Sequence, residues 1–598
     1  MDLLPKVFRT EGTIADFDPS KIFESILKET RMIESEAKQI TELVVRRIIS
    51  SGIKFLSGPH IREIVCSILS EEHFENERKL YTRIGMPLMD YEEILEKKYL
   101  NNSNLQINPE KLHHQAANQI AEEYAHLRIL NTEESKAHLS GDIHINGLNY
   151  FVLRPFNQFW DPRLLLRYGL PPIKGLTGYY KEKPAKDLRT AISHLVKWIG
   201  MVQSEFYGNQ VLNHFTTFLS QYLVDISFDR TIQEMKRFLV ELSNLPLLIG
   251  RNISRTFIFS SASIIEEFCN IKTINENGNY KDYFREYQEE CKNLFISSLK
   301  AYEDAIQNNQ LISLPRLYIL IDKDFVELIQ QFYPKLWKKE ELLKSVSFSI
   351  LHIIKDNLIK NLAIKPYYNY GTLQNISLNL PRYAFISKDE SHFLELLRSE
   401  LNMCSKILLK KYEIIEKRIN SRQLPFCSSI IENEPLFKLE NQSLSMSLVG
   451  LNESIKYLTN YELHENPEAI KLSNSILNDI NEFLTELSEK NNKSFILSEN
   501  TSEIAINRFQ KLDSKDFPKD LTSVSIKKKY TNSVHYRDDI DIGVHNKIKN
   551  QGNFHKKIHA GAISSFSLNQ IKESGMEIKD FILKVINESS LSSLKFSS

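Results

Sequence analysis

Cysteine is scarce in this chain. Five are spread over 598 residues, at Cys66, Cys269, Cys291, Cys404 and Cys427. No two form a CxxC pair, which argues against a four-cysteine zinc site or a disulfide framework and fits a reducing, cytoplasmic setting. An excess of charge is also missing, since 76 basic side chains balance 76 acidic ones. A neutral chain does not coat nucleic acid through bulk charge, so no nucleic-acid partner is expected. The apolar runs fall far short of the roughly 18–20 residues that span a bilayer, so no membrane partner is expected. The opening MDLLPKVFRTEG lacks a charged-then-apolar signal pattern. The 19 glycines contain no GxG, no Gly-Lys and no pair four apart. That removes a dinucleotide fingerprint, a P-loop and a nucleophile elbow.

What is present reads as an ordinary globular chain, 42% hydrophobic and 25% charged. Its first 97 or so residues look like a separate small module. Lys6–Arg9 and Thr13–Phe17 flank Glu11-Gly12, predicting a strand, a tight turn and a strand. Asp18 and Pro19 then suit an N-cap and a first helical position. Helices are predicted over Lys21–Glu29, Ser35–Ser51, His60–Ser70, Glu75–Tyr81 and near Asp90–Lys98. A polar, turn-rich linker follows over 98–110. Beyond it lies a long helical body with short apolar strand candidates at Arg316–Ile321, Gln374–Leu380, Ser445–Val449 and Ser494–Leu497. That alternation points to α/β architecture. The serine-rich end, 591–598, is expected to fray.

The segment VFRTEGTIADFDPSKI, Val7–Ile22, resembles the start of an ATP-cone, the nucleotide-binding regulatory domain of many ribonucleotide reductases. The resemblance implies that Val7, Arg9, Glu11, Gly12, Lys21, His60 and Arg83 surround ATP or dATP as effector. Helix N-terminal amides with two cations make a plausible phosphate site, the hairpin bringing Arg9 beside the helix of Lys21. The family usually has Lys-Arg before its turn, whereas this chain has Arg9-Thr10. Losing one charge-assisted contact, about 1.5–3 kcal/mol, would weaken binding roughly ten- to a hundredfold.

The body resembles the anaerobic (class III) ribonucleoside-triphosphate reductases. The similarity is carried in order by Glu122–Ala125, AHLSGDIHINGLNYF at Ala137–Phe151 and Arg154–Gln158. It continues through Asn379-Leu380-Pro381-Arg382, Leu439–Asn441, Val449–Glu453, Arg508–Asp513 and Tyr530–His535. The resemblance implies a small α+β ATP-cone (1–97), then a ten-stranded α/β barrel of the glycyl-radical type (111–590), truncated before the family's C-terminal module. In that family a finger-loop cysteine becomes a thiyl radical and abstracts a ribose hydrogen. A glycyl radical on a C-terminal loop generates it, beside a four-cysteine zinc site.

Here the pattern departs. The finger loop would fall in Ser345–Gln374, and no cysteine occurs from Lys292 to Met403. Asn157 stands where the family often has a second pocket cysteine. The zinc cysteines and the radical motif do not follow the helix expected at Glu577–Glu588. No catalytic residue, zinc or glycyl radical is therefore expected in this chain. His144, Asn157, Asn452, Glu453 and Glu503 are expected as remnants of the substrate pocket. The resulting expectation is a paralogue, inactive alone, that binds nucleoside triphosphates or regulates, as a homodimer or as a heterodimer with an intact reductase. The alternatives are one part of a split reductase completed by another chain, and a scaffold without any ligand.

Overall fold

The computed structural model describes residues 5–8, 14–53, 55–82, 85, 88–96, 109–170, 181–249, 256–308, 315–353, 369–387, 389–431, 433–500, 503–524, 529–537, 540 and 542–597. It divides into two compact units, Met1–Lys97 with His126–Arg128, and the remainder.

In the first unit Lys6–Phe8 is the central strand, antiparallel to Ile14–Asp16 and parallel to Phe55–Ser57. The third strand was not anticipated, because three residues squeezed between two helices carry too little periodicity. Asp18 caps helix Pro19–Glu29 by accepting the Ser20 N–H at 3.0 Å. Helices Glu34–Ser51, Gly58–Glu71, Glu75–Tyr81 and Leu88–Glu96 follow. Ile22, Ile26, Ile40, Val44, Ile48, Val65, Ile68 and Leu69 form the core at helical spacing. The expected linker lies outside the described residues up to 108; Pro109 and Glu110 already open helix Pro109–Tyr124.

The second unit is a barrel wrapped in helices. Among the described residues the main path of its sheet comprises β1 (Asn157–Trp160), β2 (Gln210–Leu212), β3 (Thr256–Ser261), β4 (Arg316–Ile321), β5 (Ser347–Ile350), β6 (Tyr370–Asn379), β7 (Gln442–Val449), β8 (Phe495–Leu497), β9 (Ile563–Ser567) and β10 (Ser593–Ser597), and the short strand Ile143–Ile145 pairs β6 beside it. Their order is β8-β7-β6-β1-β2-β3-β4-β5-β10-β9. β1 to β5 run parallel to one another, as do β6 to β8 and the pair β9, β10. The seams β1/β6 and β5/β10 are antiparallel. Two halves of five strands therefore face each other, as expected. At the β8 edge the Leu497 N–H donates to His559 Nδ1 at 3.1 Å, and the Ala560 N–H to Leu497 O at 3.4 Å.

The end of the chain corrects the sequence reading. Residues 591–598 were expected to fray, yet Ser593–Ser597 is β10, the strand that joins the two halves. Leu594 and Phe596 alternate with polar residues and bury outward near Phe348, Phe566 and Phe581. Burying two such side chains contributes roughly 3–6 kcal/mol, enough to hold a serine-rich segment in place.

Candidate functional site

Strand alternation sends Trp160, Ile258, Leu317, Phe348, Leu378, Met446 and Leu594 outward into the helical layer, where they are buried. Their neighbours face the lumen. One arc of that inner wall is aromatic. Phe159 stacks on Tyr370 at 4.5 Å and Phe259 on Tyr318 at 4.9 Å, with Phe159 and Phe259 6.1 Å apart. The opposite arc is amide and hydroxyl. The Asn146 Nδ2 donates to Asn375 Oδ1 at 2.8 Å and to Ser377 Oγ at 3.0 Å. Asn375 donates to Ser445 Oγ at 2.8 Å, Ser377 and Ser447 share a bond of 2.9 Å, and Ser445 meets Ser498. The sequences of the ten strands contain no acidic residue and no cysteine. Their basic residues are Arg316 and Lys595, both half-buried and at inward positions.

Beside this wall, four of the sequence motifs converge on one ion cluster. Arg382 holds Asp142 at 2.8 Å, Asp513 at 2.7 Å and Asp516 at 2.8 Å. Asn379 Nδ2 and the Tyr530 hydroxyl each donate to Asp513 Oδ2 at 2.9 Å. Apart from Asp516, three residues beyond Lys-Leu-Asp, these residues come from the AHLSGDIH, Asn-Leu-Pro-Arg, Lys-Leu-Asp and Tyr-Thr-Asn-Ser segments. Gly450 packs where a side chain could not: its φ is +77°, and a Cβ would lie 2.3 Å from Pro381 Cγ. The quoted motifs are thus largely joints of the scaffold.

The expected pocket residues separate. His144 lies on strand Ile143–Ile145, opposite Ser377 of β6, stacked near His138 and edge-on to Phe509. Burial, aided by the nearby Arg508 charge, pushes its imidazole down to about 3, so the ring is neutral. Asn157 sits on β1 and accepts the Asn209 N–H at 2.7 Å. That contact occupies the space beside Gly208, where a Cβ would fall 2.0 Å from Asn157 Oδ1. Asn452 is turned to the Glu462–Leu463 loop, accepting the Leu463 N–H at 3.0 Å. Glu453 is buried and accepts from the Thr531 N–H at 3.1 Å and hydroxyl at 2.7 Å. Burial pushes its carboxyl up to about 7. Glu503 is exposed and paired with Lys529 at 2.6 Å. Of the five, His144 and Asn157 lie on strands of the barrel sheet; Asn452 and Glu453 brace loops, and Glu503 is at the surface.

The cysteines lie elsewhere. Cys291, Cys404 and Cys427 are fully buried among the outer elements, and burial pushes the Cys291 thiol up to about 12. Cys269 and Cys66 are half-buried. The tip of the expected finger loop, 354–368, is outside the described residues.

In the N-terminal unit Arg9, Glu11, Gly12 and Arg83 lie outside the described residues. Val7 packs half-buried in the core, and Lys21 is exposed. His60 is exposed in the first turn of its helix, its Nδ1 3.1 Å from Ser57 Oγ. The register sets Ser57 beside Phe8 and Asp16 beside Lys6. The helices bearing His60 and Lys21 therefore start from opposite ends of the short sheet. The turn expected to bring Arg9 beside the Lys21 helix, residues 9–13, lies outside the described residues.

The sequence reading missed Arg316, Lys595 and the aromatic arc. The signal was present as alternation, Phe257 and Phe259 in β3 and Lys595 between Leu594 and Phe596 in β10.

Comparison with known proteins bears on this barrel. The family model described as anaerobic ribonucleoside-triphosphate reductase matches residues 101–598. The Escherichia coli protein of that name is 23% identical over 614 aligned positions, covering 91% of this chain and 83% of that protein. The Haemophilus influenzae protein is 23% identical over 472 positions, and this chain spans 62% of its length. Among solved structures, the Thermotoga maritima anaerobic ribonucleotide reductase in complex with dATP and CTP superposes with a TM-score of 0.65 at 18% identity, covering 81% of this chain and 83% of that one. The same protein with glycerol in the active site gives 0.68 at 18% identity, covering 85% of each.

Proposed function

Because the chain belongs to the anaerobic ribonucleoside-triphosphate reductase family, we propose that it is a nucleotide-binding, regulatory member unable to reduce a ribonucleotide by itself. One observation carries this: the barrel keeps its strands and motif joints but offers no thiol where hydrogen abstraction needs one. None of the ten strands contains cysteine, and none occurs between Lys292 and Met403. A serine or asparagine cannot replace it, because the O–H and N–H bonds are too strong to exchange a hydrogen reversibly with a ribose carbon. Three of the five thiols, Cys291, Cys404 and Cys427, are buried.

What remains suits binding. Ring faces, hydroxyls and two inward cations can accommodate a base, a ribose and phosphates. The N-terminal unit would take ATP or dATP as effector, and the chain would act as a homodimer or beside an intact reductase. Purified protein with an activase, a reductant and each ribonucleoside triphosphate should form no deoxynucleotide, while calorimetry detects nucleoside-triphosphate binding. Turnover without a second reductase chain would overturn the first half of the proposal. Absence of binding heat at millimolar nucleotide would overturn the second.

A further inference from the structure

The ten barrel strands carry two charged residues in all, Arg316 in β4 and Lys595 in β10. We infer that these two cations form an anion clamp on the inner wall that takes the phosphate chain of a nucleoside triphosphate. The inference rests on the nucleotide-binding half of the proposal above and assigns residues to it.

Both side chains alternate with residues buried in the outer layer. Arg316 precedes Leu317, and Lys595 stands between Leu594 and Phe596. Both therefore point into the barrel, where they are half-buried. The ten described strands supply no carboxylate to neutralise them. Cations drawn out of bulk water normally have an anionic partner, because desolvation without one is unfavourable. Lys595 lies between two hydroxyl-bearing neighbours, opposite Ser347 on β5 and Ser565 on β9. The Ser347 hydroxyl is buried and has no hydrogen-bond partner among the described residues. An ammonium flanked by hydroxyls, one of them with an unused donor, matches a phosphate oxygen set.

The spacing fits a chain of phosphates. Tyr318 is in register with Ser347, and Ser347 with Lys595. Tyr318 and Lys595 are thus two strands, about 10 Å, apart, and Arg316 lies one inward position, about 7 Å, further along β4. The two backbones are about 12 Å apart, within which both long side chains can close on one polyphosphate. The stacked rings of Phe259 and Tyr318 on the same wall suit the attached base.

The test uses the full chain and titration calorimetry with inorganic tripolyphosphate and with cytidine triphosphate. Arg316→Met and Lys595→Met should each weaken tripolyphosphate binding at least tenfold. The double variant should abolish it, and Lys595→Arg should retain it. Tryptophan fluorescence should give unchanged unfolding midpoints, which shows that the loss is not misfolding. Wild-type protein that ignores tripolyphosphate, or variants that bind it as wild type does, would overturn the clamp. Equal binding of cytidine triphosphate to wild type and the double variant would sink the clamp but leave the proposed function standing. Tripolyphosphate binding through these residues without any nucleoside-triphosphate binding would do the reverse.

Discussion

Replacing Arg382 by Met removes the cation from a cluster of three carboxylates. Asp513 is the critical partner, with a side chain 0% exposed; Asp142 and Asp516 are 26% and 47% exposed. Breaking a buried pair by deleting one member typically costs about 3–5 kcal/mol, since the other charge stays behind without compensation. Asp513 keeps its bonds from Asn379 and Tyr530, so the lower end, about 3 kcal/mol at neutral pH, is expected. The exposed Asp516 contact adds at most about 0.5 kcal/mol. Burial already holds the Asp513 carboxyl above its usual range, despite Asn379 and Arg382. Without Arg382 it rises further. A carboxyl raised in the folded state stabilises fully below its unfolded value and loses that contribution as pH climbs through its folded value. The deficit of Arg382→Met must therefore shrink toward pH 5 and widen toward pH 8. All three tryptophans, Trp160, Trp198 and Trp337, lie in the barrel unit, so fluorescence-monitored urea unfolding reports on it selectively. Adding Asp513→Asn to Arg382→Met should recover at least about 1 kcal/mol by removing the orphaned charge. A loss below about 1 kcal/mol, or one that is flat with pH, would refute the reasoning.

Glu453→Gln keeps an acceptor for Thr531 while removing a carboxyl raised to about 7. Wild type should lose stability between about pH 4.5 and 7 and above, and the variant should not; the two should match near pH 5 and differ by on the order of 1–3 kcal/mol at pH 8.5 in thermal melts. Gly450→Ala forces a side chain into the left-handed region and against Pro381, for an expected loss of about 2–4 kcal/mol in the same urea assay. Native protein treated with a thiol reagent should label at Cys66 and Cys269, while Cys291, Cys404 and Cys427 react after denaturation; intact mass spectrometry separates the outcomes.

The five outer helices of the small unit, strand β4 and the approximate positions of β6, β7 and β8 were legible, because their apolar residues recur at a helical or two-residue period. So was the scarcity of cysteine, which depends only on counting. β1, β2, β3, β5, β9 and β10 were not. Strands of three to six residues, even where they alternate as β5 and β10 do, are too short for a two-residue period to stand out from chance. The candidate pocket residues differ in their surroundings for a related reason. Glu453 and Glu503 are both acidic residues in family-like segments. Yet Glu453 is buried against Thr531 while Glu503 is an exposed partner of Lys529. Composition and motif order by themselves determined the family, the α/β class and the lack of cysteine between Lys292 and Met403. The tertiary structure alone decided which motif residues are joints, that the serine-rich segment is a strand joining β5 to β9, and that Arg316 and Lys595, 279 positions apart in sequence, stand at inward positions of one sheet. Strand pairing is set by contacts between distant segments, so no local window of sequence contains it.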